Sequence, residues 1–155
     1  MDWIDTSSGI PIVKTTSTEF RKWALPYLGI EYIQVEGKPI WLNDRYAAKL
    51  YTSPEYLTNV IEAHSVLDDE RYSSRLITSY RNDDIGEYGV VEEYIKGVNL
   101  STVDPKQAEE MINDFYLLMQ KRFNAADWDL NPENYVVEEG SGLLVMVDLG
   151  DVFFE

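Results

Sequence analysis

D-W-D-L-N-P-E-N-Y-V-V-E-E-G-S-G-L-L-V-M-V-D-L-G-D, residues 127–151, places an acid, Asp129, five residues ahead of an amide, Asn134. A β-rich run, Tyr135 to Val137, follows. Glu-Glu-Gly-Ser-Gly then makes a turn, and a second apolar run from Leu143 to Val147 delivers Asp148-Leu149-Gly150. Two strands joined by a tight turn predict a hairpin with Asn134 and Asp148 together at its open end and Asp129 on the loop leading in. Oxygen groups at such a mouth can hold a hard cation and accept a proton.

D-L-N-P-E-N resembles the D-L-x-x-x-N catalytic loop of the protein-kinase-like superfamily, and D-L-G resembles its D-F-G turn. The resemblance implies an α+β protein-kinase-like fold, with an antiparallel N-lobe sheet, one helix and a small C-lobe made of a long helix and the catalytic hairpin. It implies that Asp129 is the catalytic acid/base and that Asn134 and Asp148 hold Mg²⁺ against the phosphates of ATP. Asp127-Trp128 stands where the family has His-Arg or His-Gly.

The same residues fit a second pattern in part. Asp127, Asp129, Asn131 and Glu138 fall at positions 1, 3, 5 and 12 of an EF-hand loop. Position 6 is Pro132, whose ring forbids the positive φ that the glycine of that loop supplies. Gly-Ser-Gly and a β-branched run follow where a second helix is required, which argues against a calcium loop.

Upstream, Thr18 to Leu25 has Phe20, Trp23 and Ala24 on one side of a helix that Pro26 is expected to end. Glu31–Val35, Pro39–Leu42 and Arg45–Tyr51 read as a meander of three strands with turns at Glu36-Gly37-Lys38 and Asn43-Asp44. The third, R-Y-A-A-K-L-Y, resembles the V-A-I-K strand, which implies that Lys49 grips phosphate. Ser53-Pro54 caps a helix to about Leu67. Its Glu62 is the candidate for the family's helix carboxylate that pairs with the strand lysine, with Glu55 as the alternative. The lone His64 reads as a surface or core-edge residue with no chemistry.

Arg75–Tyr80 and Tyr88–Ile95 read as two further strands. V-V-E-E-Y-I-K resembles the kinase hinge, which implies adenine contacts from the main chain of Glu93 and Ile95. It also sets Glu92 where the family puts an apolar pocket wall. Asp104-Pro105 caps a helix whose Ala108, Met111, Ile112, Phe115, Leu118 and Met119 recur at helical spacing as a buried face, ending near Phe123.

The segments expected are an N-terminal extension with a short helix (1–29), a kinase-like N-lobe and hinge (30–97) and a truncated C-lobe (98–155). No glycine-rich phosphate loop separates the first two strands, since Gly37 stands alone there. The last seven residues after Asp148 hold no activation segment, so the reading is of a minimal kinase. Some bacterial-effector and phage kinases are of this size, which admits action in the cytoplasm of a host cell.

A chain of 155 residues with 45% hydrophobic side chains can bury a core, and with no cysteine it has neither disulfides nor thiol chemistry. The N-terminus lacks a secretory pattern, and no apolar run is long enough to span a membrane, so a cytoplasmic location is expected. The net charge of −15 excludes nucleic acid and anionic membranes as direct partners, because phosphate contacts need Lys and Arg. Residues 101–155 hold 12 of the 28 acidic but only 3 of the 13 basic residues, so this exclusion is strongest there. The function expected is ATP- and Mg²⁺-dependent phosphoryl transfer to a protein hydroxyl. The alternatives are a pseudokinase that binds a target protein without useful turnover, and an acidic decoy of a nucleic-acid-binding protein.

Overall fold

Short apolar runs separated by turn residues give three antiparallel strands, β1 (Ile33–Gln34), β2 (Ile40–Leu42) and β3 (Tyr46–Tyr51), in a computed structural model that describes residues 18–67, 71–128, 130–150 and 152–154. Gly37 turns β1 into β2 at φ +72°, a conformation that costs little only without a Cβ. The β2–β3 turn is built on Asn43. Its Oδ1 accepts the Arg45 and Tyr46 amides at 2.8 and 2.7 Å. Its Nδ2 donates to the carbonyls of Tyr27 and Leu28 at 2.9 and 3.0 Å.

After helix α2 (Pro54–Leu67), strands β4 (Leu76–Asn82) and β5 (Glu87–Glu93) form a hairpin, and β5 docks on β3. The sheet order is β1-β2-β3-β5-β4, antiparallel throughout. Ser53 caps α2 as its sequence predicts, its Oγ accepting the Tyr56 amide at 3.1 Å. Helix α1 (Thr18–Leu28) runs through Pro26 instead of stopping there. A proline in the last turn forfeits one backbone bond, and burial of Leu28 offsets that loss. Gly29 then ends the helix at φ +70°, its amide bonded to the Leu25 carbonyl.

Two units make up the chain, one drawn from Met1–Leu57 and Leu76–Tyr94, the other from Thr58–Arg75 and Ile95–Glu155. In the first, α1 covers one face of the sheet: Phe20, Ala24 and Leu28 pack on Trp41, Ala48 and Val91. The helix expected in an N-terminal extension is therefore part of this core. Gly89 is needed under it, because a Cβ there would lie 2.2 Å from Phe20 Cε1.

In the second unit, α3 (Pro105–Phe123) begins where Asp104 accepts the Gln107 amide at 3.2 Å and ends at Asn124 in the left-handed conformation. Its buried stripe is Ala108, Ile112, Phe115 and Met119. Leu118, expected in that stripe, is 38% exposed because it sits one residue, about 100°, round from Met119. The stripe packs with Ala63, Leu67, Leu100, Tyr135, Met146 and Leu149. Through Ala63 and Leu67 the later part of α2 belongs to this core, which is why the units divide inside the helix. His64 beside them is fully buried, deeper than its sequence suggested.

Strands β6 (Gly97–Asn99), β8 (Tyr135–Glu138) and β9 (Leu144–Met146) form an antiparallel sheet in that order. A separate pair joins β7 (Ala125–Asp127) to β10 (Phe153–Phe154). No described helix is long and apolar enough to cross a membrane.

Candidate active site

The β8–β9 hairpin sets up the C-terminal pair. Tyr135 faces Met146 in its register, and the Val147 amide donates to the Asn134 carbonyl at 2.9 Å, one step further out. Asn134 thus stands on the last rung, opposite Val147, and Asp148 lies one residue beyond it, both at the open end of the hairpin. Both are half-buried. The loop before β8 is fixed from two sides. Asn131 Oδ1 accepts the Glu133 amide at 3.1 Å, and Asn99 Nδ2 donates to the Glu133 carbonyl at 3.0 Å.

Asp148 is held from its other side by the residues after it. Leu149 is fully buried in the second core and anchors the D-L-G turn by its side chain. The Gly150 amide donates to Asp148 Oδ1 at 3.2 Å. One carboxylate and one amide oxygen suit Mg²⁺, which binds through one or two carboxylates and completes its shell with water and phosphate. Among the described residues no three histidine, cysteine, aspartate or glutamate side chains gather into a group that could hold a metal ion.

Asp129 lies outside the described residues. The residue before it is anchored: the Trp128 ring stacks on Tyr116 at 5.8 Å and lies 5.8 Å from Phe115 and 6.2 Å from Phe154. In the sequence, Trp128 reads only as a departure from His-Arg; in the structure it ties the loop to α3. The EF-hand reading does not survive. Glu138, its twelfth position, lies in strand β8 with Oε2 3.0 Å from the Arg71 guanidinium.

In the first unit, Lys49 lies on the sheet face opposite α1. Strand partners share a face, so one row runs Ile33, Leu42, Ala47, Glu92 and the next Ile40, Lys49, Val90. Lys49 Nζ is 2.7 Å from Glu92 Oε1, the two side chains being 12% and 1% exposed. Glu92, expected as a misplaced pocket wall, is therefore a counter-charge for Lys49, a role the sequence reading gave to Glu62. Glu62 is exposed on the second-unit part of α2, and Glu55 donates nothing to the pairing: its carboxylate accepts the Ser53 hydroxyl at 3.0 Å.

The Tyr94 amide is bonded to the Arg45 carbonyl at 2.9 Å, and Glu93 pairs with Tyr46 on the side of the sheet that α1 covers. Ile95 packs with Val136 and Val145 in a small cluster of the second unit. A groove of about 540 Å³ at the β1–β2 end is lined by Glu31, Tyr32, Ile33, Leu42, Asn43 and Tyr94. Ile33 and Leu42 belong to the same row as Ala47.

The order of elements and the geometry of both units match solved kinase structures. The bifunctional kinase-methyltransferase WbdD superimposes with a TM-score of 0.57 at 15% identity, over 75% of this chain and 30% of that one. The chain has a protein-kinase-like fold. The Cydia pomonella granulovirus kinase PK-1 gives a TM-score of 0.57 at 13% identity over 79% of this chain and 53% of the viral one. A WbdD structure with a kinase inhibitor gives 0.58 at 15% identity over 77% and 32%. The chain thus spans from about a third to about half of the kinase structures it matches. No family model matches the sequence, and no curated protein matches it either. The assignment of the fold is therefore carried by backbone geometry.

Proposed function

We propose that the chain is a phosphotransferase that binds ATP with Mg²⁺ and passes the γ-phosphoryl group to a hydroxyl of a protein substrate. The observation that carries this reading is the β8–β9 ladder, which puts Asn134 on its last rung and Asp148 one residue beyond that rung, both at the open end of one hairpin. The Lys49 ammonium on the sheet face opposite α1, beside Ile33, Leu42 and Ala47 of the neighbouring row, supports it as a phosphate and nucleobase surface. Lys49 would hold the α/β-phosphates, and main-chain groups of Glu93 and Ile95 would meet the base. Asn134 and Asp148 would hold the metal, whose charge offsets that of the phosphates when it is bound. Asp129 would take the proton of the attacking hydroxyl as its oxygen bonds to the γ-phosphorus and the bond to the β-phosphate oxygen breaks, leaving ADP.

One observation favours a second reading, nucleotide binding without useful turnover. The β1–β2 turn spends its amides internally, Val35 on the Ile40 carbonyl and Lys38 on the Val35 carbonyl. Those amides do not form a phosphate cradle. Incubation with γ-labelled ATP, Mg²⁺ and a mixed protein substrate separates the two. Label transfer abolished by Asp148→Ala supports the phosphotransferase, and transfer indifferent to that substitution refutes the assignment. A rise in Tm with ATP and Mg²⁺ but no transfer supports the binding protein.

A further inference from the structure

The row next to that of Lys49, on the same sheet face, holds a carboxylate whose place neither the fold nor the proposed chemistry explains. Ala47 faces Glu92 and Lys49 faces Val90 in the β3–β5 register, so Lys49 and Glu92 are diagonal neighbours on one face. The Tyr94 amide bonded to Arg45 sets the phase of the ladder and makes 47/92 and 49/90 the hydrogen-bonded pairs. Both backbones are thus locked on either side of the ion pair. Diagonal neighbours are within reach of a long side chain, and Lys49 closes the gap to 2.7 Å. A carboxylate only 1% exposed near the end of a strand is costly unless its charge is matched, and Lys49 matches it.

We infer that Glu92 is the positioning residue of Lys49, holding the ammonium over the sheet face opposite α1 from within the sheet itself. The inference rests on the phosphotransferase reading above. It departs from the expectation that a carboxylate of α2 does this work. A strand anchor is fixed by ladder bonds on both sides, so the lysine is oriented without any demand on the placement of a helix. A role that is only structural predicts something else: fewer folded molecules, hence a lower kcat with KM for ATP unmoved.

The test uses the full chain, steady-state transfer from ATP at saturating Mg²⁺, and the variants Glu92→Gln, Lys49→Met, Glu62→Gln and the double variant Lys49→Met/Glu92→Gln. Loss of a charge-assisted phosphate contact is worth about 10- to 100-fold, so Glu92→Gln is expected to lower kcat/KM by about that factor, chiefly through KM for ATP. The double variant is expected to be no worse than Lys49→Met, because Glu92 acts only through the lysine, and Glu62→Gln is expected to lose less than Glu92→Gln. Losses that multiply in the double variant, or a Glu92→Gln protein no worse than Glu62→Gln, overturn the assignment. If Glu92→Gln does not fold, Glu92→Asp replaces it. That variant withdraws the charge by one methylene and is expected to raise KM, so wild-type KM in it also overturns the inference. If wild type binds ATP without transfer, the same comparisons are made on the Kd. A wild type that neither binds nor transfers sinks the nucleotide reading and the Glu92 role with it; a working wild type with an indifferent Glu92 sinks only the latter.

Discussion

Removing one member of the Lys49–Glu92 pair should cost far more than removing both. At 2.7 Å and an effective dielectric of 20 the two charges attract by about 6 kcal/mol. Desolvation of two ions, several kcal/mol each, cancels most of that, so the intact pair is worth little to stability in net terms. A single substitution keeps the desolvation and discards the attraction. Glu92→Gln should therefore destabilise the first unit by about 3 kcal/mol, the lower end for a broken buried pair because Lys49 is still 12% exposed. Lys49→Met should cost a little less, about 2 kcal/mol, since an unmatched carboxylate can take up a proton. The double variant should lie within about 1 kcal/mol of wild type, giving a coupling energy of about 4 kcal/mol. Urea denaturation reads this out through Trp23 and Trp41, which pack in the first core, with Trp3 and Trp128 replaced by Phe. Additive losses, with a coupling below about 0.5 kcal/mol, would refute the claim that the charges meet in a desolvated site.

Other consequences are equally open to measurement. Gly89→Ala should unfold or severely destabilise the first unit, because the new methyl would meet Phe20 Cε1 at 2.2 Å and the Lys49 carbonyl at 2.6 Å; a Tm within two or three degrees of wild type would contradict the packing of α1 on β5. Leu149→Ala should cost about 2–5 kcal/mol in the second unit, by the cavity it leaves in a fully buried site, and should release Asp148 from its turn. A denaturation midpoint unchanged by that substitution would contradict the anchor. Asp83 accepts hydrogen bonds from Arg81 Nε at 3.0 Å and from the Tyr88 hydroxyl at 2.9 Å. Those bonds, Arg81 first and Tyr88 second, hold its carboxyl below the ordinary aspartate range. A carboxyl depressed by folding stabilises above its unfolded pKa and loses that contribution as pH falls through the folded one. Asp83→Asn should flatten the acid limb of a Tm–pH curve over that window, and an unaltered limb would count against the cluster.

Much of this architecture can be read from the chain where a local signal suffices. Asp104-Pro105 and the 3.6-residue stripe fix α3, and the Gly-Ser-Gly turn between β-branched runs fixes the β8–β9 hairpin, with Asn134 and Asp148 near its open end. Strands β6, β7 and β10 are two or three residues long, too short for alternation to register, and exist because of the strands they pair with. The meaning of Glu92 depends on a partner 43 positions earlier. It becomes visible only when the β3–β5 register sets it diagonal to Lys49, because a charge in an apolar strand looks like an error until its counter-ion is known. His64 is misjudged for a similar reason: which side of α2 is covered depends on contacts made by Ala63 and Leu67 with distant segments.

Asn43 makes its four hydrogen bonds with a single carboxamide, two of them as a donor to the end of α1. Hydrolysis of that amide to a carboxylate would keep the oxygen that shapes the β2–β3 turn but turn the nitrogen's side into an anion facing two carbonyl oxygens. The hairpin would survive while the helix lost its clasp. Spontaneous deamidation at this one position would thus act as an ageing clock, loosening the first core from the outside and altering a wall of the groove without any cut in the chain.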